Sequence, residues 1–233
     1  MQLFYTQNIK DNMAIFTEEE ARHIKVLRKK TGDVLHFIDG VGGWYKGEIM
    51  EVHKKQCVLS ILEHSPSYNQ RKVHLHIAIA PTKNINRLEW FLEKATEIGI
   101  DEITPILCDR SERKKIRNDR LEKILLSAAK QSLKAYLPKL NELTDYQDFI
   151  KKENDSLKYI AYCNDDNLNH LKKEYSSPQN VTILIGPEGD FSEKEIQFAL
   201  ENNYQGISLG DSRLRTETAG IVACHIINLT VNG

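Results

Sequence analysis

Two short stretches hold most of the residues in this sequence that could do chemistry. The first is Gly186-Pro187-Glu188-Gly189-Asp190-Phe191. The second runs Leu209-Gly210-Asp211-Ser212-Arg213-Leu214-Arg215-Thr216-Glu217-Thr218-Ala219. Each follows a short apolar run and precedes a helical pattern, so both are predicted where a strand ends and a helix begins. In open α/β sheets, ligands sit outside those strand ends. Glycine there lets backbone N–H and C=O groups approach a ligand, because no Cβ intervenes. Each loop also has a plainer reading: a turn with a helix cap, and a helix start with a structural Arg–Glu pair. Two such loops in one region, each with glycine beside charge, favour a joint ligand site. The ligand class narrows by elimination. GxxxxGK[ST] is absent, so a Walker-type phosphate cradle is unsupported. No GxGxxG follows the first strand of the α/β part, which leaves an ordinary Rossmann site unsupported. Gly40-Val41-Gly42-Gly43 sits in a hairpin and reads as a turn. The histidines show no HExxH and no metal-ligand spacing, so no metal is expected. No GxSxG marks a serine nucleophile.

The elements that must position these loops fall into two groups. Residues 1–70 read as β-rich: Val34–Ile38, a Gly-rich turn, Trp44–Ile49, and Gln56–Leu62. A short helix is predicted from Thr17, with Glu20 completing a capping box. So many short strands suggest a small barrel. Ser65–Gln70 is polar and turn-rich and reads as a linker. From Val73 the pattern changes. Apolar strands (Val73–Ala80, Ile103–Leu107, Tyr159–Cys163, Val181–Ile185, Ile207–Gly210) alternate with helical stretches. Those run from about Arg87 to Gly99, Asn118–Tyr136, from a second capping box at Ser192 to Asn202, and Thr216–Thr230. Strand–helix alternation predicts an α/β domain with a parallel sheet over 71–233. The last helix is apolar almost all round, so a dimer interface is plausible for it.

Composition bounds the partners. The 233 residues carry 32 basic and 33 acidic side chains, 40% hydrophobic residues and 28% charged, which excludes global disorder. No apolar run approaches the roughly 18 residues of a membrane span, and Met1–Tyr5 does not open a signal peptide, so a cytoplasmic protein is expected. Cys57, Cys108, Cys163 and Cys224 lie far apart and offer neither a zinc pair nor a disulfide framework. The net charge of -1 argues against a nucleic-acid partner only until it is divided. Residues 110–139 hold 10 basic and 3 acidic side chains, and residues 140–203 hold 6 and 13. The basic block is either a solvated helix face or a phosphate-binding surface.

At the two loops the sequence resembles the bacterial 16S ribosomal RNA uridine-N3 methyltransferases, the RsmE family. Gly186-Pro187-Glu188-Gly189 with Phe191-Ser192 and Glu195 is similar to the family's GPEGG-F-[ST]-x-x-E. Leu209-Gly210 through Arg215-Thr216-Glu217-Thr218-Ala219 is similar to its LGxxxLRTETA. The resemblance continues through His23–Arg28 with Gly32-Asp33, through Lys83, Glu93-Lys94, Thr96-Glu97 and Gly99, and through Ala129–Ser132 with Pro138. Three departures stand out. Asp190 replaces the second glycine of GPEGG, Ser212-Arg213 stands where the family often has Arg-Ile, and no arginine precedes Phe4.

The resemblance implies a SPOUT-type knotted α/β methyltransferase domain over 71–233, with a trefoil knot, behind an N-terminal PUA-like small β-barrel over 1–70 that binds RNA. It implies S-adenosyl-L-methionine as cofactor, 16S rRNA or the small ribosomal subunit as partner, and a homodimer. Methyl transfer to N3 of a uridine is an in-line displacement on an activated methyl, so alignment and management of the N3 proton are the enzyme's tasks. N3 lies on the Watson–Crick edge, so the base must be unpaired or flipped. Carried onto this chain, the cofactor site comprises Leu184, Ile185, Gly186, Pro187, Glu188, Gly189, Leu209, Gly210, Ser212, Arg213, Leu214 and Thr218. Arg215 and Glu217 are candidates near the chemistry, or else a structural pair. Lys25, Arg28, Lys83, Arg110, Arg113, Lys114, Lys115 and Lys130 are candidates for RNA phosphates. Another SPOUT RNA methyltransferase, or a non-catalytic RNA-binding assembly factor, stays open on these residues.

Overall fold

The structure, a computed structural model, describes residues 1–152, 155–163 and 168–232. Two compact units emerge. One joins Met1–Gln70 to Leu126–Leu137; the other joins Arg71–Leu125 to Pro138–Gly233. The sequence places a single boundary at residue 70. The structure adds a distant twelve-residue segment to the first unit, because Ala135 packs with Leu3 and Ile38 and Tyr136 bridges to Gly40 and Val41.

The first unit holds β1 (Leu3–Tyr5), β2 (Ile9–Lys10), β3 (Met13–Phe16), α1 (Glu18–Val26), β4 (Val34–Ile38), β5 (Trp44–Val52) and β6 (Cys57–Ser65). They form a six-stranded sheet in the order β1-β4-β5-β6-β3-β2. Phe4 in β1 and Phe16 in β3 lie at opposite sides of that order, yet their rings meet edge-on at 6.4 Å. Thr6 just after β1 donates to the Ile15 carbonyl in β3 at 2.5 Å. The sheet is therefore curled around one core of Phe4, Phe16, Ile24, Phe37, Ile49 and Leu59, the small-barrel form expected. The capping box expected at Thr17 does not form: the Thr17 side chain makes no cap bond. Glu20, its intended partner, is buried and ion-paired with Lys130 instead.

The second unit holds β7 (Leu75–Ile79), α2 (Ile85–Ile98), β8 (Glu102–Leu107), the first half of α3 (Asn118–Gln131), β9 (Lys139–Leu140), β10 (Thr144–Asp145), α4 (Tyr146–Ile150), β11 (Leu157–Ala161), α5 (Leu171–Glu174), β12 (Val181–Ile185), α6 (Glu193–Glu201), β13 (Gln205–Ile207) and α7 (Thr216–Asn232). The sheet runs β10-β8-β7-β12-β11-β13, with β9 beside β8, and every described pairing is parallel. Its apolar runs are continuous because both faces are covered. Leu75, Ile77 and Ile79 pack with α2 and α7, while Ala78 and Ala80 pack with α4 and α6. The predicted helix to Tyr136 stops at Gln131, because Leu133 takes a left-handed φ of 57° and the Lys134 amide bonds back to Ala129. The last strand also stops early, at Ile207. Ser208–Gly210 form its exit loop instead, held where the Ser208 amide bonds Asn169.

Candidate functional site

β12 is buried along its whole length and delivers the chain to Gly186 at the carboxyl edge of the sheet. β13 lies two strands away, on the far side of β11. The start of α7 nevertheless returns to β12, where the Thr216 hydroxyl donates to the Gly186 carbonyl at 3.0 Å. Residues 208–215 must therefore cross back over the end of β11, which brings the two sequence loops together.

The first loop is clamped from several sides. The Asp190 amide closes a turn on Pro187 at 2.9 Å. Arg110 donates to the carbonyls of Gly189 (2.8 Å) and Phe191 (3.2 Å). The Glu188 carboxylate accepts the Lys83 amide at 2.9 Å. Arg113 donates to the carbonyls of Thr82 (3.0 Å) and Lys83 (2.6 Å). Asp190, the departure from the glycine pattern, sits at a left-handed φ of 63°. Its carboxylate accepts the Phe191 amide at 2.8 Å and the Cys163 amide at 3.0 Å. The side chain that costs backbone strain thus ties this loop to the exit of β11. Ser192 and Glu195 form the expected capping box, and Glu195 also accepts the Asp109 amide at 2.8 Å. In the second loop, Gly210 takes a φ of 119° with open space where a Cβ would stand.

Between the loops lies a cavity of about 870 Å³. It is lined by ten of the twelve cofactor candidates: Ile185, Gly186, Pro187, Glu188, Gly189, Leu209, Gly210, Ser212, Arg213 and Leu214. Leu184 is not among them, since its side chain is fully buried with Ala78, Ile160 and Phe191. Thr218 and Glu217 line an adjoining cavity of about 500 Å³ instead, and Arg215 lines both. Both volumes fall in the range of small-ligand sites. Ile185, Leu209 and Leu214 supply apolar wall, and Glu188, Asp190 and Asp211 supply carboxylates. That donor set suits a flat heterocycle with a cationic tail; the open face of Gly210 leaves room for backbone contact. Sequence reasoning missed Tyr162, Cys163 and Leu168 in the first cavity, and Arg87 and Trp90 in the second. They lie far from both motifs in the chain.

The basic candidates divide. Lys25, Arg28, Lys114 and Lys115 are exposed and form no ion pair with described residues. Lys83 is exposed and pairs with Glu112 at 2.8 Å, whose hydrogen bond and charge raise its pKa. Arg110 and Arg113 are spent largely on carbonyls, and Lys130 is half-buried against Glu20. Among the described residues no group of acidic, histidine or cysteine side chains could hold a metal.

These features together are those of a two-domain RNA methyltransferase. A family model described as an RNA methyltransferase domain matches residues 69–228, and one described as an RNA methyltransferase PUA domain matches residues 16–62. The ribosomal RNA small subunit methyltransferase E of Mesomycoplasma hyopneumoniae is 32% identical over 95% of this chain and 96% of its own. A Porphyromonas gingivalis protein described as an rRNA methyltransferase superposes with a TM-score of 0.92 at 39% identity, covering 99% of this chain and 98% of that one. A Legionella pneumophila protein described as a methyltransferase, solved with bound cofactor SAM, gives a TM-score of 0.86 at 26% identity over 97% and 96% of the two chains. The chain belongs to the ribosomal RNA small subunit methyltransferase E family.

Proposed function

We propose that this protein transfers a methyl group from S-adenosyl-L-methionine to N3 of a uridine in small-subunit ribosomal RNA. The observation that carries the reading is the cavity of about 870 Å³ between the loops at Gly186 and Leu209, in a fold shared over nearly the whole chain with a relative solved with bound SAM. The cofactor supplies an activated methyl on a sulfonium, so no metal is needed. Backbone at Gly186–Gly189 and Leu209–Leu214 holds the adenine and ribose. Arg215, at the junction of both cavities, offsets negative charge developing on the uracil, and Glu217 orients the base or takes its proton.

The chain crossing over β11 fits the trefoil knot of the family resemblance. The exposed line of His225 and Leu229 on α7, flanked by the half-buried Ile221 and Val222, fits a homodimer interface. Exposed Lys25 and Arg28 in the first unit, and Lys114 and Lys115 in the second, are the side chains best placed for phosphates. Small-subunit RNA as substrate puts the work in the cytoplasm. Among the described residues no helix is long and apolar enough to cross a membrane. The test is calorimetric titration with S-adenosylmethionine, then incubation with small subunits lacking the modification and mapping of the labelled nucleotide. Saturable binding and one N3-methyluridine are expected. A ribose methyl, or a methyl on transfer RNA, would overturn the proposal.

A further inference from the structure

The smaller cavity is lined by Asn86, Arg87 and Trp90 from α2 and by Arg213–Arg215, Glu217 and Thr218. It meets the larger cavity at Arg213, Leu214 and Arg215, which line both. That is where atoms held in one could approach atoms held in the other. Glu217 is only 6% exposed. Its Oε1 stands 3.7 Å from the Arg87 guanidinium, and its Oε2 has no hydrogen-bond partner. A buried carboxylate oxygen without a donor is costly, so the site is short of one N–H. Trp90 is 43% exposed on a helix whose Leu88, Phe91 and Leu92 are buried, which leaves an indole available at the cavity wall.

Resting on the function proposed above, we infer that this second cavity is the pocket for the flipped target base, with Trp90 as stacking platform and Glu217 as the group that selects uracil over cytosine. Uracil presents N3–H, which can donate to Glu217 Oε2. Cytosine presents a bare N3 lone pair at the same edge, which a carboxylate repels. A polar site built for a donor rejects the analogue lacking it far more strongly than an apolar pocket can. Arg87 and Arg215 are the cations beside the uracil carbonyls, where charge gathers as N3 loses its proton. On transfer, the N3 electron pair bonds the methyl carbon and the carbon–sulfur pair stays on sulfur. The N3 proton passes to Glu217 and from there to water. Base–aromatic stacking on Trp90 holds the ring in plane for that attack.

The test uses the full-length chain with Trp44→Phe, so that Trp90 is the one remaining indole of the two tryptophans. Two short single-stranded RNAs, identical but for a central uridine or cytidine, are titrated without cofactor while Trp90 fluorescence is followed. Quenching by the uridine strand, bound about tenfold more tightly than its twin, is expected. Glu217→Gln should abolish that preference and lower the single-turnover methylation rate about a hundredfold, with cofactor affinity unchanged. Read instead by the anisotropy of an end-labelled uridine strand, which needs no indole in the protein, Trp90→Ala should lose binding of that strand, and Trp90→Phe should restore most of it. Equal binding of the two strands would overturn the assignment. So would a fall in sedimentation mass on Trp90→Ala, because the indole would then belong to a contact between copies. If the parent chain binds no cofactor and methylates nothing, the function itself fails. If it methylates and Glu217→Gln does so equally well, only the pocket falls.

Discussion

Arg110 shows how the neighbours of a charged residue along the chain can conceal what it bonds. It opens the most basic stretch of the chain, yet its guanidinium bonds the carbonyls of Gly189 and Phe191, 79 and 81 residues away. Hydrogen bonds from a charged donor typically contribute about 1.5–3 kcal/mol. Arg110→Ala should therefore loosen the loop that lines the cofactor cavity and weaken S-adenosylmethionine binding roughly tenfold by calorimetry. The salt dependence of RNA binding should change far less. Asp190 makes the complementary case. Asp190→Gly relieves a left-handed backbone strain of about 1–2 kcal/mol but removes the bonds to the Phe191 and Cys163 amides. Thermal stability should stay near that of the parent while cofactor affinity falls. Asp190→Asn, which tolerates the same φ and keeps one acceptor oxygen, should lie between the two. An unchanged affinity in Asp190→Gly would show that the tie to Cys163 does not shape the cavity. At this scale the two loops were legible because glycine and charge at a strand end leave few other uses. Arg87 and Trp90 were not, because a helix surface gives no sign of what lies across from it.

Elements were legible where their pattern is long. The apolar strands at 75–79, 103–107 and 181–185 emerged because a parallel sheet buries both faces, which leaves an unbroken apolar run. The two-residue strands β9 and β10 are too short to carry any period. Of two capping signals with the same spacing, Ser192–Glu195 formed and Thr17–Glu20 did not, since Glu20 is drawn to Lys130, 110 residues on. The sheet also carries a pH-sensitive group. His76 in β7 lies buried against Phe149 and bonds the Thr104 hydroxyl in β8 at 2.7 Å. Burial pushes its pKa down to about 4, against a partial opposing pull from Glu102. The unfolded chain, with an ordinary imidazole near 6.5, binds that proton first as the pH drops. The stabilisation is complete above about pH 6.5 and is lost progressively down to about pH 4, on the order of 3 kcal/mol in all. The urea midpoint should fall accordingly as the pH is lowered across that window. His76→Asn should flatten the dependence between those two values, whatever its cost at neutral pH.

For the whole molecule, the sequence total of -1 conceals how charge is deployed, and the structure divides the basic block further. Within residues 110–139, Arg110 and Arg113 bond carbonyls, Arg120 pairs with Glu89, Arg117 with Asp119, Lys130 with Glu20 and Lys139 with Glu102. Lys114 and Lys115 stay exposed, with no ion pair to described residues. Segment counting could not separate these uses, because, Asp119 apart, the carbonyls and carboxylates that consume the charge come from remote parts of the chain. The same remoteness hid the crossing over β11, which no local rule of chain connection would suggest. Each phosphate neutralised on a single strand contributes about -0.7 to the slope of log K against log salt. If the exposed pair meets the RNA backbone, Lys114→Gln with Lys115→Gln should flatten the measured slope by about 1.4 and weaken binding regardless of sequence. Lys130→Gln should leave the slope unchanged and instead destabilise the first unit, because Glu20 would stay buried without its cation. Filter binding across a salt series, with urea unfolding of the same variants, separates the two effects. A slope that flattens for Lys130→Gln and not for the Lys114 and Lys115 pair would reverse this division of the charges.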